Sequence, residues 1–276
     1  MARLDGKTAL VTGATDGVGR FVAGKLGEAG AFVIAHGRDK LRGESLVAEI
    51  EKNGGRAEFL QADLAELSAV RGLAEATARR TDRLHILINN AGIGTGGESG
   101  SRQISADGHE LRFAVNYLAG FLLTRLLLPL LEDSAPARIV NVASAGQYPI
   151  DFSDVMLTRN YSGARAYRQS KLAQILFTVD LAEELLGSGV IVNALHPATY
   201  MNTTMVRQAG VKPWSTVEEG GEAILNLAVS PALEGRSGLY FNGLNETRAD
   251  AQAYDAEARR RLRTLSLDLT GLSATP

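Results

Sequence analysis

One pattern constrains this chain more than any other: short β-branched or apolar runs take turns with longer stretches of helical period. Strand-like runs lie at 8–11, 32–35, 57–60, 86–88, 138–142, 190–195 and 239–241. Between and after them, apolar residues recur at helical spacing over 18–29, 40–52, 68–80, 111–128, 166–186, 217–229 and 250–262. A parallel neighbour needs a return path over the face of the sheet, and a helix supplies it, so this alternation predicts repeated βαβ units. The expected fold is α/β, a doubly wound parallel sheet of about seven strands with helices on both faces. No linker, repeat or low-complexity stretch divides the 276 residues, so 1–276 reads as a single domain.

Such a sheet binds ligands beyond the carboxyl ends of its strands, and composition says which ligands to discount. Lys and Arg number 29 against 31 Asp and Glu, a formal charge of −2 with the signs interspersed, which excludes the basic footprint of a nucleic-acid binder. There is no cysteine, and His36, His85, His109 and His196 have no paired ligand spacing, so neither disulfides nor a metal centre is expected. The start, MARLDGKTALVTG, holds no apolar stretch of signal-peptide length. The longest apolar segment, 113–131, is interrupted by Asn116, Arg125 and Pro129 and reads as a buried core helix, not a membrane span. A cytoplasmic protein acting on a small, near-neutral organic molecule is the expected class.

The junction after the first strand reads TGATDGVG at 12–19. Gly13, Gly17 and Gly19 answer separate needs there: a sharp turn, close backbone approach to a pyrophosphate, and tight packing of helix on strand. The helix start adds free N–H groups and a positive dipole end. The spacing departs from GxGxxG, and by itself a plain turn would use the same residues. NNAG then follows the fourth strand at 89–92, and Tyr167 and Lys171 form a YxxxK pair on a predicted helix. In this order, at strand ends, these motifs resemble the short-chain dehydrogenase/reductase superfamily over almost the whole chain. FAVNYLAGFLLT, AYRQSKLAQILFT and VNALHP resemble its branch of retinol dehydrogenases and related bacterial reductases.

The resemblance implies a Rossmann-type domain that binds a nicotinamide dinucleotide. Around the glycine turn the implied contacts are Gly13, Thr15, Asp16, Gly17, Val18 and Gly19. Asp63 and Leu64 after the third strand would flank the adenine, with Asn89 to Gly92, and Asn90, Ala91 and Gly92 in particular, on the adenosine side. Pro197 and Thr199 beyond the sixth strand would face the nicotinamide end. The second strand ends VIAHGRD, and an Arg there pairs with the 2′-phosphate of NADP where an acid would hold the ribose of NAD. Arg38 therefore points to NADP, with Asp39 read as the cap of the helix at Lys40; NAD is the alternative if Asp39 turns to the ribose.

Tyr167 and Lys171, four apart, share a helix face, so the ammonium can lower the pKa of a phenol that is otherwise a poor base. By resemblance Tyr167 is the general acid/base, Lys171 also holds the nicotinamide ribose, Ser144 bonds the substrate oxygen, and Asn116 holds a water leading to Lys171. The implied reaction interconverts an alcohol and a ketone or aldehyde. His196-Pro197-Ala198 departs from the usual Pro-Gly of the superfamily. The segment 148–163 is expected to rim the site and 199–215, with Met201, Met205 and Trp214, to form a lid suited to a lipophilic or aromatic compound. An epimerase or dehydratase of the same fold and a non-catalytic NADP sensor are the rival readings. Pairing through the helices of Asn116 and Tyr167 into a dimer or tetramer is expected by resemblance.

Overall fold

The computed structural model describes residues 3–96 and 101–273, so part of the glycine-rich loop expected at 92–100 lies outside the described residues. Eight strands form one sheet in the order β3-β2-β1-β4-β5-β6-β7-β8. They are β1 Thr8–Val11, β2 Phe32–Gly37, β3 Arg56–Gln61, β4 Ile86–Asn89, β5 Ala137–Val142, β6 Val190–His196, β7 Tyr240–Asn242 and β8 Asn245–Thr247. The first seven run parallel, in the expected places. β8 was not expected: it turns back antiparallel on β7 through Gly243, whose φ of 59° suits a tight hairpin, and its short, exposed run carries no apolar pattern.

Strand periodicity divides the core in two. Leu10, Ile34, Leu87 and Ile139 point to one face, while Ala9, Val11, Val33, Ile88 and Val140 point to the other, each side chain almost wholly buried. Helices α1 (Gly17–Glu28), α2 (Lys40–Lys52) and α7 (Val217–Val229) cover the second face. The first face is covered by α3 (Leu67–Ala78), α4 (Leu111–Glu132), α5 (Gly163–Glu184) and α8 (Ala256–Thr270); the short α6 (Thr204–Gln208) lies outside both layers. Burying each Leu, Ile or Val contributes about 1.5–3 kcal/mol, so this double layer is what holds the strand ends in register.

Two helices differ from expectation. α4 continues through Pro129 to Glu132, because burial of Leu127 and Leu131 offsets the backbone bond that the proline forfeits, and it contains a π-helical turn at Ala114–Leu118. It is apolar and long enough to cross a membrane, yet it is packed within the core: Phe113, Tyr117 and Phe121 are buried, and Phe121 meets Phe177 of α5 at 5.1 Å. The last helix, expected at 250–262, starts later and runs further. Asp250 caps only a 3-10 turn, Ala251–Tyr254; Asp255 caps a fresh start at Ala256, and Gly271, at φ 63°, ends it.

Candidate active site

The strand order reverses between β1 and β4, which leaves a crevice at their carboxyl ends. The glycine turn lies on one side of it. Gly13 (φ 65°) and Gly17 (φ 53°) occupy left-handed backbone, and a Cβ at Gly19 would stand 2.2 Å from the Gly13 carbonyl oxygen. Gly37 makes room for Thr15, whose Cγ2 would lie 2.4 Å from a Cβ there. Asp16 caps α1 by accepting from Gly17 N at 2.8 Å, and among the described residues nothing takes the N–H groups of Val18 and Gly19. Free amides at a helix start beside backbone that only glycine allows fit a pyrophosphate.

His36, not singled out from sequence, fixes this turn. Its Nδ1 accepts from Gly13 N at 3.3 Å while Nε2 faces the Ala62 carbonyl at 3.2 Å, and burial lowers its pKa to about 4, so the ring is neutral. Asp63 stands beside it, its Oδ1 accepting from Ala65 N at 3.0 Å, and Leu64 is buried. At the end of β2, Arg38 is exposed and its guanidinium is paired with no described acid. Asp39 accepts from Arg42 N at 3.1 Å, as the cap expected, and Arg42 also reaches Asp16 at 3.6 Å.

On the other side of the crevice, the two asparagines of NNAG part company. Asn90 Nδ2 donates to Thr12 O at 2.8 Å and clamps the glycine turn, while Thr12 Oγ1 accepts from the amides of Asn90 and Ala91, both at 3.0 Å. Asn89 does not line the adenosine side as expected. The pleat turns it into the core, where its Nδ2 donates to Thr124 and Asn141, both at 2.9 Å. Asn116, in the π turn of α4, accepts from Ile93 N at 2.7 Å and donates to Ile93 O (3.1 Å) and Ser170 Oγ (3.0 Å). It thus holds both backbone groups of the residue after NNAG. A Cβ at Gly92 would sit 3.2 Å from Asn116 Oδ1 and 3.5 Å from Lys171 Nζ, so these three meet at one point. Arg112, buried and also missed, donates to the carbonyls of Gly94 (2.9 Å) and Thr95 (2.8 Å) and carries that loop onto the start of α5.

α5 begins at Gly163, capped by Ser162, and places Tyr167 and Lys171 on one face, with Nζ 5.8 Å from the phenol ring centre. Lys171 is buried, donates to Val142 O (2.8 Å) and Gln174 Oε1 (3.0 Å), and is pulled by burial to a pKa of about 7. The expected lowering of Tyr167 by this ammonium is not found: burial holds the phenol above its ordinary value, and the Ser144 hydroxyl beside it acts in the opposite sense. Ser144 Oγ accepts from Gly146 N at 3.0 Å, and its carbonyl is held by the buried hydroxyl of Tyr240 at 3.0 Å.

Past β6, Pro197 is buried, and His196 Nε2 meets Thr199 Oγ1 at 3.0 Å. Ala198 stays out of left-handed space; that conformation falls on Tyr200 (φ 46°) instead. Tyr200 O accepts from Trp214 N at 3.0 Å and Asn202 N donates to Ser215 O at 3.1 Å, so 200–215 is a loop pinned at its base. It lies across both sides of the crevice: Thr203 stands over Gly17 and Met205 over Gly94. Trp214, 74% exposed, meets Tyr200 edge-on at 5.1 Å.

Known proteins resemble this chain along most of its length. The short chain dehydrogenase family model matches residues 7–213. Human retinol dehydrogenase 11 is 37% identical over 283 residues, covering 98% of this chain and 87% of that protein. Mouse retinol dehydrogenase 13 is 38% identical over 299 residues, covering 99% and 86%. Among solved structures, the Pseudomonas aeruginosa RhlG/NADP active-site complex matches with a TM-score of 0.71 at 30% identity, over 87% of this chain and 95% of that one. An uncharacterized protein from Mycobacterium paratuberculosis matches with a TM-score of 0.82 at 28% identity, over 100% and 97%. Likeness of this extent, in a sheet whose reversal point carries a glycine turn, decides membership: the chain belongs to the short-chain dehydrogenase family, on the retinol dehydrogenase-like branch, and is an NAD(P)-dependent oxidoreductase.

Proposed function

We propose that the protein uses NADP to interconvert an alcohol and a ketone or aldehyde on a small lipophilic or aromatic compound, with Tyr167 as general acid/base. The observation that carries this reading is a phenol kept protonated by burial, beside Ser144, one turn from an ammonium on the same helix face and at the mouth of the cofactor crevice. Bound in that crevice, the nicotinamide supplies or accepts hydride. Tyr167 passes its proton to the substrate oxygen in reduction and recovers it in oxidation. Ser144, whose Oγ already accepts from Gly146, keeps its own proton to donate to that oxygen. Lys171 stabilises the phenolate that remains, and Asn116 holds the turn after β4 through both backbone groups of Ile93.

NADP is favoured by Arg38, which no described acid pairs, and by Asp39 being engaged at the start of α2. The structural relatives described with NADP support the same choice. The segment 199–215 acts as a lid, and its Met205, Tyr200 and Trp214 suit an apolar substrate, in keeping with relatives named retinol dehydrogenases. The deciding experiment is Tyr167→Phe with NADPH and a panel of ketones and aldehydes. Turnover should fall by about 100-fold or more, with NADPH affinity unchanged. Retained turnover would reject Tyr167 as the acid.

A further inference from the structure

Around Gln174, an acceptor for Lys171, lies a group of buried polar side chains that the reaction does not use. Asn89, 4% exposed, donates twice but its Oδ1 takes no bond from any described residue. An acceptor left dry in a core costs about 1–3 kcal/mol, so such an atom calls for a partner. Beside it is a cavity of about 10 Å³, lined by Asn89, Gln174, Asn116, Thr12 and Gly120 among others. That is about the room one water requires. Gln174, equally buried, gives Oε1 to Lys171 Nζ at 3.0 Å, while its amide nitrogen bonds to no described residue. The side chains of Asn89 and Gln174, each with a polar group that no described residue takes up, thus border one hole of water size. Gly120 keeps it open: a Cβ there would lie 3.7 Å from Asn89 Oδ1, in ordinary contact but inside the space.

We propose that this cavity holds one resident water bonded to Asn89 Oδ1 and the Gln174 amide nitrogen, and that Gln174, steadied by it, is a positioning residue that keeps Lys171 Nζ in place. The catalytic part of this rests on the role given to Lys171 above; the water and the Gln174 bond do not. The strut continues through Asn141 Nδ2 to Thr178 Oγ1 (2.8 Å) and from Thr178 Oγ1 to Gln174 O (2.8 Å), so β4, β5 and α5 all brace it. The other titratable groups facing Lys171 are Tyr167 and His196; burial, and after it the charge of Lys171, keeps His196 below its ordinary value.

Two readings test the proposal. A high-resolution crystal structure of the NADP complex should show a full-occupancy water within hydrogen-bond reach of both Asn89 Oδ1 and Gln174 Nε2; a dry cavity overturns the water site. In chains carrying 15N-lysine, NMR titration of the Lys171 ammonium should move down by about 0.5 unit or more in Gln174→Met, which keeps length but loses the acceptor, and up in Gln174→Glu. Gly120→Ala, which fills the cavity without touching Lys171, should shift it in the same direction as Gln174→Met but less. For the same variants the pH profile of kcat should follow the Lys171 titration. An unmoved titration in folded Gln174→Met and Gln174→Glu overturns the positioning role, whether or not a substrate has been found. A titration that moves while kcat and its pH profile do not leaves the strut standing and removes the role of Lys171 in turnover.

Discussion

Lys171 shows how a residue can serve a site against the interest of the fold. The unfolded chain keeps this lysine protonated to its ordinary range near pH 10, while the folded chain does so only to about 7. Below pH 7 both states are protonated and the folded one bears the full cost of a buried charge; between 7 and 10 it holds fewer protons, so the cost shrinks as pH rises. Lys171→Met should therefore abolish turnover yet raise stability to urea at pH 7 by about 1–3 kcal/mol, after allowance for the two acceptors it leaves bare, and the gain should fade towards pH 10. Arg38 works at the opposite extreme, exposed and paired with no acid among the described residues. Arg38→Ala should weaken NADPH binding by about 10-fold or more and NADH binding far less, read by cofactor fluorescence; equal losses would reject the NADP assignment. Both residues are visible in the sequence by type and spacing. Their surroundings are not: that Lys171 turns to Val142 and Gln174, and that burial holds the phenol above its ordinary value, depends on tertiary contacts of α5 that no local pattern encodes.

At the scale of elements, the strands and most helices are legible because each buries a face whose period matches its type. Misreadings fall where local rules compete with packing. Pro129 signals a stop, but the burial of Leu127 and Leu131 carries α4 on to Glu132. The helical stretch expected from 250 breaks in two, since Asp250 caps only a 3-10 turn and Asp255 caps the long helix. Asn89 and Asn90 look like a pair, and the pleat sends them to opposite duties. The segment proposed as a lid was legible as an apolar stretch, but its pinned base was not, since the bond from Trp214 N to Tyr200 O joins residues far apart in the segment. Because Trp214 is the chain's sole tryptophan, its emission reports on the lid alone. Addition of an aromatic ketone to the NADP complex should quench or shift that emission towards blue, and Trp214→Ala should raise KM for aromatic more than for small aliphatic carbonyls. An unchanged spectrum at saturating substrate would sink the lid assignment.

Across the whole molecule, α8 lies on the helix that carries Tyr167 and Lys171. Tyr117 OH meets Ser266 Oγ at 2.7 Å, Arg259 reaches Glu183 at 2.6 Å, Arg263 reaches Asp180 at 3.3 Å, and Arg71 holds Thr270 O at 2.7 Å. The helices of Asn116 and Tyr167, expected to pair between copies, are on this side already packed by the chain's own last helix. A chain ended after Asp255 should expose that apolar face, bind the dye ANS, self-associate in sedimentation and melt at least about 5 °C lower, whereas the intact chain should not self-associate through this surface. The sequence shows α8 as an amphipathic stretch, but not where it docks, because its partners lie up to 199 positions away. The docking of α8 also sets an order of events during synthesis. The last 15-residue helix leaves the ribosome after every strand has been made, so α5 must wait bare on a finished sheet. A nascent chain interrupted before α8 would therefore carry an uncovered apolar face, the kind of surface by which chaperones and proteases sort incomplete products.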